Sequence, residues 1–132
     1  MAIPRVTTLR GASLAGSVIE GRDLSGLDLS DADLARSTLH GNLSGANLSG
    51  ADLSGASLSG VNLREANLIG ADLSGTDLVW ADLTNANLTE ANLVGADLRD
   101  ARLEGTNLHM ATYDESTNFP RGFRLWRRMR RV

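Results

Sequence analysis

From Asn42 to Met110 a leucine returns at every fifth position without a break, at Leu43, Leu48, Leu53, Leu58, Leu63, Leu68, Leu73, Leu78, Leu83, Leu88, Leu93, Leu98, Leu103 and Leu108. Asp or Asn precedes almost every one of them, and Ala mostly precedes that residue. A period of five suits neither regular element. On an α-helix five residues overshoot a full turn by about 140°, so the leucines would wander over every face. On a flat strand side chains alternate, and an odd spacing would send successive leucines to opposite sides. All of them stay inside only if the chain turns once per repeat, always in the same sense. Leucine then points to the axis of a coil, alanine fills a second and more crowded inward place, and the polar residues face water. Successive coils would stack at the spacing of sheet strands, about 4.8 Å. A repeat of this kind defines a solenoid.

The units Ala46–Asn47–Leu48–Ser49–Gly50, Ala51–Asp52–Leu53–Ser54–Gly55 and Ala96–Asp97–Leu98–Arg99–Asp100 resemble the consensus of the pentapeptide-repeat proteins. The resemblance runs from about Thr7 to Tyr113. It implies an all-β fold, a right-handed quadrilateral parallel β-helix of about five coils with four pentapeptides per coil. Asn47, Asn67, Asn87 and Asn107 recur at twenty-residue steps, as stacking on one side of such a coil requires. The resemblance also implies a role without catalysis, as a protein-interaction or structural module. Some members of the family bind bacterial DNA gyrase or topoisomerase IV in place of DNA, and often dimerise through a C-terminal helix. An acidic DNA mimic of that type is the alternative expectation. The chain departs from those members in being shorter, in having leucine at nearly every central place, and in lacking projecting loops.

Charge is unevenly placed. All 13 basic residues are arginine, and the net charge is −3. Between Val6 and Tyr113, 14 acidic residues face 6 arginines; from Ser116 onward there are 6 arginines and no acid. The pattern is an acidic rod with a basic tail. With no cysteine there is neither a disulfide staple nor a thiolate metal site. The start Met1–Arg5 has no apolar run of signal-peptide type, and no stretch approaches the roughly 20 apolar residues of a membrane span. The expectation is a cytoplasmic protein.

Three segments follow. Residues 1–6 form a lead-in, with Pro4 placed to keep the first edge from pairing. Residues 7–113 form the β-helix, opening less regularly on Leu9, Leu14, Ile19, Leu24, Leu29, Leu34 and Leu39. Arg22 stands in an inward slot, where an unpaired guanidinium is costly, so that corner is expected to be open or the side chain to swing out. Leu27 makes the next inward slot bulky. Between Leu39 and Leu43 the spacing drops to four, and Gly41 permits the tighter corner.

Residues 114–132 form a loop and a basic amphipathic segment. On a helical wheel Leu125, Trp126, Met129 and Val132 fall within about 120°, with Phe123 just outside, and Arg124, Arg127, Arg128 and Arg131 opposite. A solenoid end exposes an apolar cross-section and unpaired edges, and so needs a cap. The expectation is a short C-terminal α-helical cap, with Phe123, Leu125, Trp126 and Met129 as cap or dimer contacts and a homodimer as one outcome.

No catalytic, cofactor or metal site is expected. Serine mostly follows leucine in an outward slot, and His40 and His109 are far apart. Asp28, Asp31 and Asp33 lack the glycine and terminal glutamate of an EF-hand loop. What remains is surface. Asp33, Asp52 and Asp72 are expected to stack on one side, followed by Asn92, and Asp77 and Asp97 on the next. Trp80, with Val79, occupies an outward slot as a possible contact. The partner is a protein of unspecified identity, with gyrase or topoisomerase IV as the alternative, and direct nucleic-acid binding is not expected.

Overall fold

The computed structural model describes residues 6–124 and 129–132. The backbone coils as a four-sided parallel β-helix. Single-residue parallel pairings join each side to the same side of the next coil: Asn47 to Asn67, Asn67 to Asn87 and Asn87 to Asn107 on side A, and Asp52 to Asp72 and Asp72 to Asn92 on side B. Ser57, Asp77 and Asp97 form the ladder of side C, and Asn62, Asp82 and Arg102 that of side D. Between sides the chain reverses in a turn closed by the leucine carbonyl, as where the Ala46 amide donates to Leu43 at 3.1 Å. The third turn position has positive φ, as type II turns require. Gly45, Gly50 and Gly55 supply it, but so do Arg36, Glu65, Trp80 and Glu90.

A five-residue side that ends in a turn leaves little more than one residue free to pair. Longer strands therefore occur where the repeat is irregular. These are β1 (Val18–Asp23), β2 (Thr38–Asn42), β3 (Thr112–Tyr113) and β4 (Arg130–Arg131), with β1 parallel to β2 and β3 parallel to β4.

The four-residue step at Gly41 is absorbed between β1 and β2. Ile19 pairs with Leu39 and Arg22 with Gly41, so two residues of β1 bulge opposite the single residue His40. Gly41 has φ +124, and a Cβ there would meet the Arg22 carbonyl oxygen at 3.2 Å. Glycine is thus required twice over, by conformation and by close approach. From this point the register is regular again: pairings span nineteen residues across the short coil, as in Asp33–Asp52, and twenty above it, as in Asp52–Asp72. Arg22 is exposed at this corner, and Leu27 is buried in the next inward slot.

The axis is filled by leucine. From Leu43 to Leu98 every central leucine is at most 2% exposed, with Leu108 at 5% and Leu103 half-buried. Burial of each such side chain stabilises by roughly 1.5–3 kcal/mol. In the first coil Leu9, Leu14, Ile19 and Leu24 are half-buried, since no coil lies beneath them among the described residues.

The C-terminal end corrects one expectation. There is no helical cap among the described residues; the segment expected as a helix ends instead in the strand β4, laid parallel on β3. Arg130 N–H donates to the Ala111 carbonyl at 2.8 Å and Val132 N–H to that of Tyr113 at 2.9 Å. The physical reason is the open edge. A helix of this length is marginal by itself, whereas the last coil offers unpaired carbonyls to any extended backbone. Apolar capping comes from aromatic rings. Phe119 meets Tyr113 edge-on at 5.7 Å and stacks on Phe123 at 4.8 Å. Met129 packs against the core. Leu125 and Trp126 lie outside the described residues, and a dimer contact built on the helix loses its basis.

Candidate interaction surface

The Asp or Asn before each leucine has a structural task. Its side-chain oxygen accepts the amide hydrogen two residues on: Ser54 to Asp52 at 2.9 Å, Ser74 to Asp72 at 2.9 Å, Val79 to Asp77 at 3.0 Å, and equally Ser49 to Asn47 and Ile69 to Asn67 at 3.1 Å. This is an Asx turn, for which a carboxylate and an amide are equivalent acceptors. The turn accounts for Asp or Asn where they occur but not for the choice between them. That choice is segregated. Above Asp28, side A carries Asn47, Asn67, Asn87 and Asn107, whereas Asp33, Asp52 and Asp72 run up side B before Asn92, and Asp77 and Asp97 follow Ser57 up side C.

Neighbouring groups favour the ionised form of Asp28, Asp52, Asp82 and Asp97. The Ser54 hydroxyl, and then its amide, lower the Asp52 pKa below its ordinary value, with Arg36 adding a smaller pull. The Arg99 guanidinium does the same for Asp97, at 2.6 Å. The Ser30 hydroxyl holds Asp28 down. Burial pushes Asp82 up, but Thr84 and Arg64 together outweigh it. Arginine therefore interrupts the acidic surface on side C, where Asp97 is paired. On side B no direct ion pair is formed by Asp33, Asp52 or Asp72 among the described residues.

Trp80 is 67% exposed, at the corner following side C, with φ +63. Val79 beside it is half-buried, and Ile69 is exposed on a different corner. His40 and His109 are both exposed, and no group of three or more His, Asp or Glu is arranged to hold a metal among the described residues.

Sequence reasoning passed over the inward hydroxyls. Thr76, Thr106 and Thr117 occupy the slot assigned to alanine, and each donates to a carbonyl of the coil beneath, Leu53, Leu83 and Leu93, at 2.8–2.9 Å. The signal was present in the threonine standing where the repeat prefers alanine. Phe123 was expected at the cap, but not the Tyr113 and Phe119 rings that pack with it.

The chain belongs to the pentapeptide repeat family, whose sequence profile matches residues 7–41, 42–78 and 81–112. Among solved structures it is similar to the pentapeptide repeat protein Rfr23 from the cyanobacterium Cyanothece 51142, at 31% identity over 86% of this chain and 91% of that one, with a TM-score of 0.70. A pentapeptide repeat protein from Nostoc PCC 7120 is 40% identical over 76% of this chain and 84% of that one, with a TM-score of 0.45. QnrB1, a plasmid-mediated fluoroquinolone resistance protein, is 20% identical over 98% of this chain and 75% of its own, also with a TM-score of 0.45. No match was found among curated proteins. No helix among the described residues is long and apolar enough to cross a membrane.

Proposed function

We propose that this chain is a non-catalytic, cytoplasmic interaction module, a stiff rod that presents its acidic sides B and C to a protein partner. The observation that carries this reading is the segregation of Asp from Asn. Both serve the Asx turn, yet like charges stacked about 5 Å apart repel one another. Asparagine would close the same turns without that repulsion, so we read the three stacked carboxylates of side B as answering to something outside the fold. Trp80 adds a large exposed ring next to side C, of the residue type that anchors protein interfaces. The test is site-directed photo-crosslinking with the reactive group at Ser74 on side B or at Ser49 on side A. Adducts with a partner from Ser74 and not Ser49 support the reading; adducts from Ser49 alone would overturn it.

A second reading is favoured by the same ladder. The run Asp33–Asp52–Asp72 puts unpaired negative charge at regular intervals along the rod, as a duplex does along its axis. On this reading the partner is DNA gyrase or topoisomerase IV, bound in place of DNA. Inhibition of gyrase supercoiling at micromolar protein, lost on converting those three aspartates to asparagine, supports it. No effect on supercoiling discards it.

A further inference from the structure

The C-terminal end of the rod has the opposite character to its sides. Arg121, Arg124, Arg130 and Arg131 are all exposed there, and from Ser116 to Val132 the sequence contains six arginines and no acid. Among the described residues their one ion pair is long, Arg131 to Glu115 at 3.9 Å. Two of the four are fixed in place by backbone, since β4 is hydrogen-bonded to the last coil. Beside them an open groove of about 670 Å³ is lined by Leu103, Pro120 and Phe123 together with Arg121, Arg124 and Glu104. Val132, adjoining β4, is 70% exposed.

We infer that this end docks on an anionic phospholipid bilayer surface, with the rod axis standing away from the membrane. Three observations favour this occupant. First, apolar side chains are interleaved with arginine, the composition that seats a segment at the boundary between headgroups and acyl chains. Val132 and the apolar lining of the groove have no use against a phosphate backbone alone. Second, the unpaired carboxylates of side B are held at a distance, while the acids nearer this end include Glu115 paired with Arg131, Asp97 paired with Arg99, and Glu104 in the groove wall. On side B the column runs Asp72, Asn92, Thr112, Arg130. Three ladder steps of about 4.8 Å put the nearest of those carboxylates about 14 Å below the basic tier. That exceeds the Debye length of about 8 Å at physiological ionic strength, so an end-on approach leaves the repulsion from side B largely screened. Third, a planar surface reaches the end of the rod without running along its acidic sides, whereas a duplex lying against those sides is repelled.

The experiment uses the full chain and vesicles of phosphatidylcholine with 30% phosphatidylglycerol, about 100 nm across, in co-sedimentation at low and physiological salt. Binding is expected to these vesicles and not to pure phosphatidylcholine, and to weaken as salt rises. Each arginine near the surface contributes about a fivefold change in partition. Arg130→Gln with Arg131→Gln should therefore lower it about 25-fold. These residues hold β4 through their backbones, so an unchanged melting temperature checks that the variant is folded. Arg121→Gln with Arg124→Gln gives the same comparison without touching β4. The inference is overturned by equal binding to neutral vesicles, by no binding at low salt, by insensitivity of partition to both arginine pairs, or by tighter binding to duplex DNA than to the anionic vesicles.

Discussion

The Thr76 hydroxyl donates to the carbonyl of Leu53 at 2.8 Å, across one coil and inside the core. Ser37 occupies the matching inward slot two coils earlier, is 1% exposed, and its Oγ has no partner. The carbonyl standing to Ser37 as Leu53 stands to Thr76 is that of Leu14, twenty-three residues back. A β-branched side chain has a restricted χ1, which in Thr76, Thr106 and Thr117 directs the hydroxyl at that carbonyl. Ser37→Thr should therefore gain about 1 kcal/mol by making the missing bond. Ser37→Ala should be close to neutral or mildly stabilising, because it removes an unpaired buried hydroxyl. Urea titration of the two variants checks both; a Ser37→Thr protein less stable than Ser37→Ala would show that the slot cannot hold the extra methyl.

Asp72 separates the structural from the electrostatic share of the acidic column. It accepts the Ser74 amide at 2.9 Å and the Asn92 side-chain amide at 3.3 Å, and stacks on Asp52. Asp72→Asn keeps an oxygen for Ser74 and removes a like-charge contact, so stability should hold or rise slightly. Asp72→Ala removes the acceptor and should cost about 1 kcal/mol. The decisive comparison is the order of the two melting temperatures. An Asn variant as unstable as the Ala variant would mean that the negative charge itself supports the turn.

Much of this architecture was legible because the repeat states it many times over. A leucine at five-residue spacing calls for one turn per repeat, the family resemblance implies four repeats per coil, and the Asn67–Asn87–Asn107 recurrence agrees with that length. The four-residue step at Gly41 was visible, but not the fact that β1 would bulge to meet it, because a bulge is a property of two coils in register. The C-terminal end was misread for a similar reason. The wheel of Phe123, Leu125, Trp126 and Met129 measures the periodicity of one segment, whereas the end of a solenoid offers edge carbonyls at Ala111 and Tyr113 that favour an extended partner. Asp33, Asp52 and Asp72 stand in one ladder, but the Asx turns they close become visible only in the folded chain. Without them, every aspartate looked equally free to be functional.

Acid should destabilise the rod, and the sign follows from the hydrogen bonds. Asp28, Asp52, Asp82, Asp97 and Asp114 all have folded-state pKa values lowered from 3.8. A carboxylate depressed by folding contributes stability that is fully present above its unfolded pKa and is lost as pH falls through the folded one. Melting temperature should therefore be flat from neutrality to about pH 5 and fall below about pH 4. Replacing the five by asparagine should flatten that fall, since the amide accepts the same turn bond at every pH. Thermal melts between pH 2.5 and 7 check it. A wild-type protein that gains stability in acid would show that repulsion along the ladders outweighs these bonds.

Trp80 is where stability and contact are set against each other. Its φ of +63 places it in the left-handed region, which costs a residue with a Cβ roughly 1–2 kcal/mol. At 67% exposure the ring recovers little of this by burial. One coil below, Gly60 takes the same corner with φ +69, where no such cost arises. Trp80→Gly should relieve the strain, less the extra freedom glycine gives the unfolded chain, for a net gain of about 0.5–1 kcal/mol. Trp80→Ala keeps the left-handed backbone and should fall below the glycine variant. Chemical denaturation gives this order, and crosslinking yield from Ser74 in the same proteins gives the cost to binding. If Trp80 anchors the partner, the most stable variant should be the poorest binder. If glycine is instead the least stable of the three, the indole packs on Val79 or Asp100 more usefully than its exposure implies, and its place on the surface needs no partner to explain it.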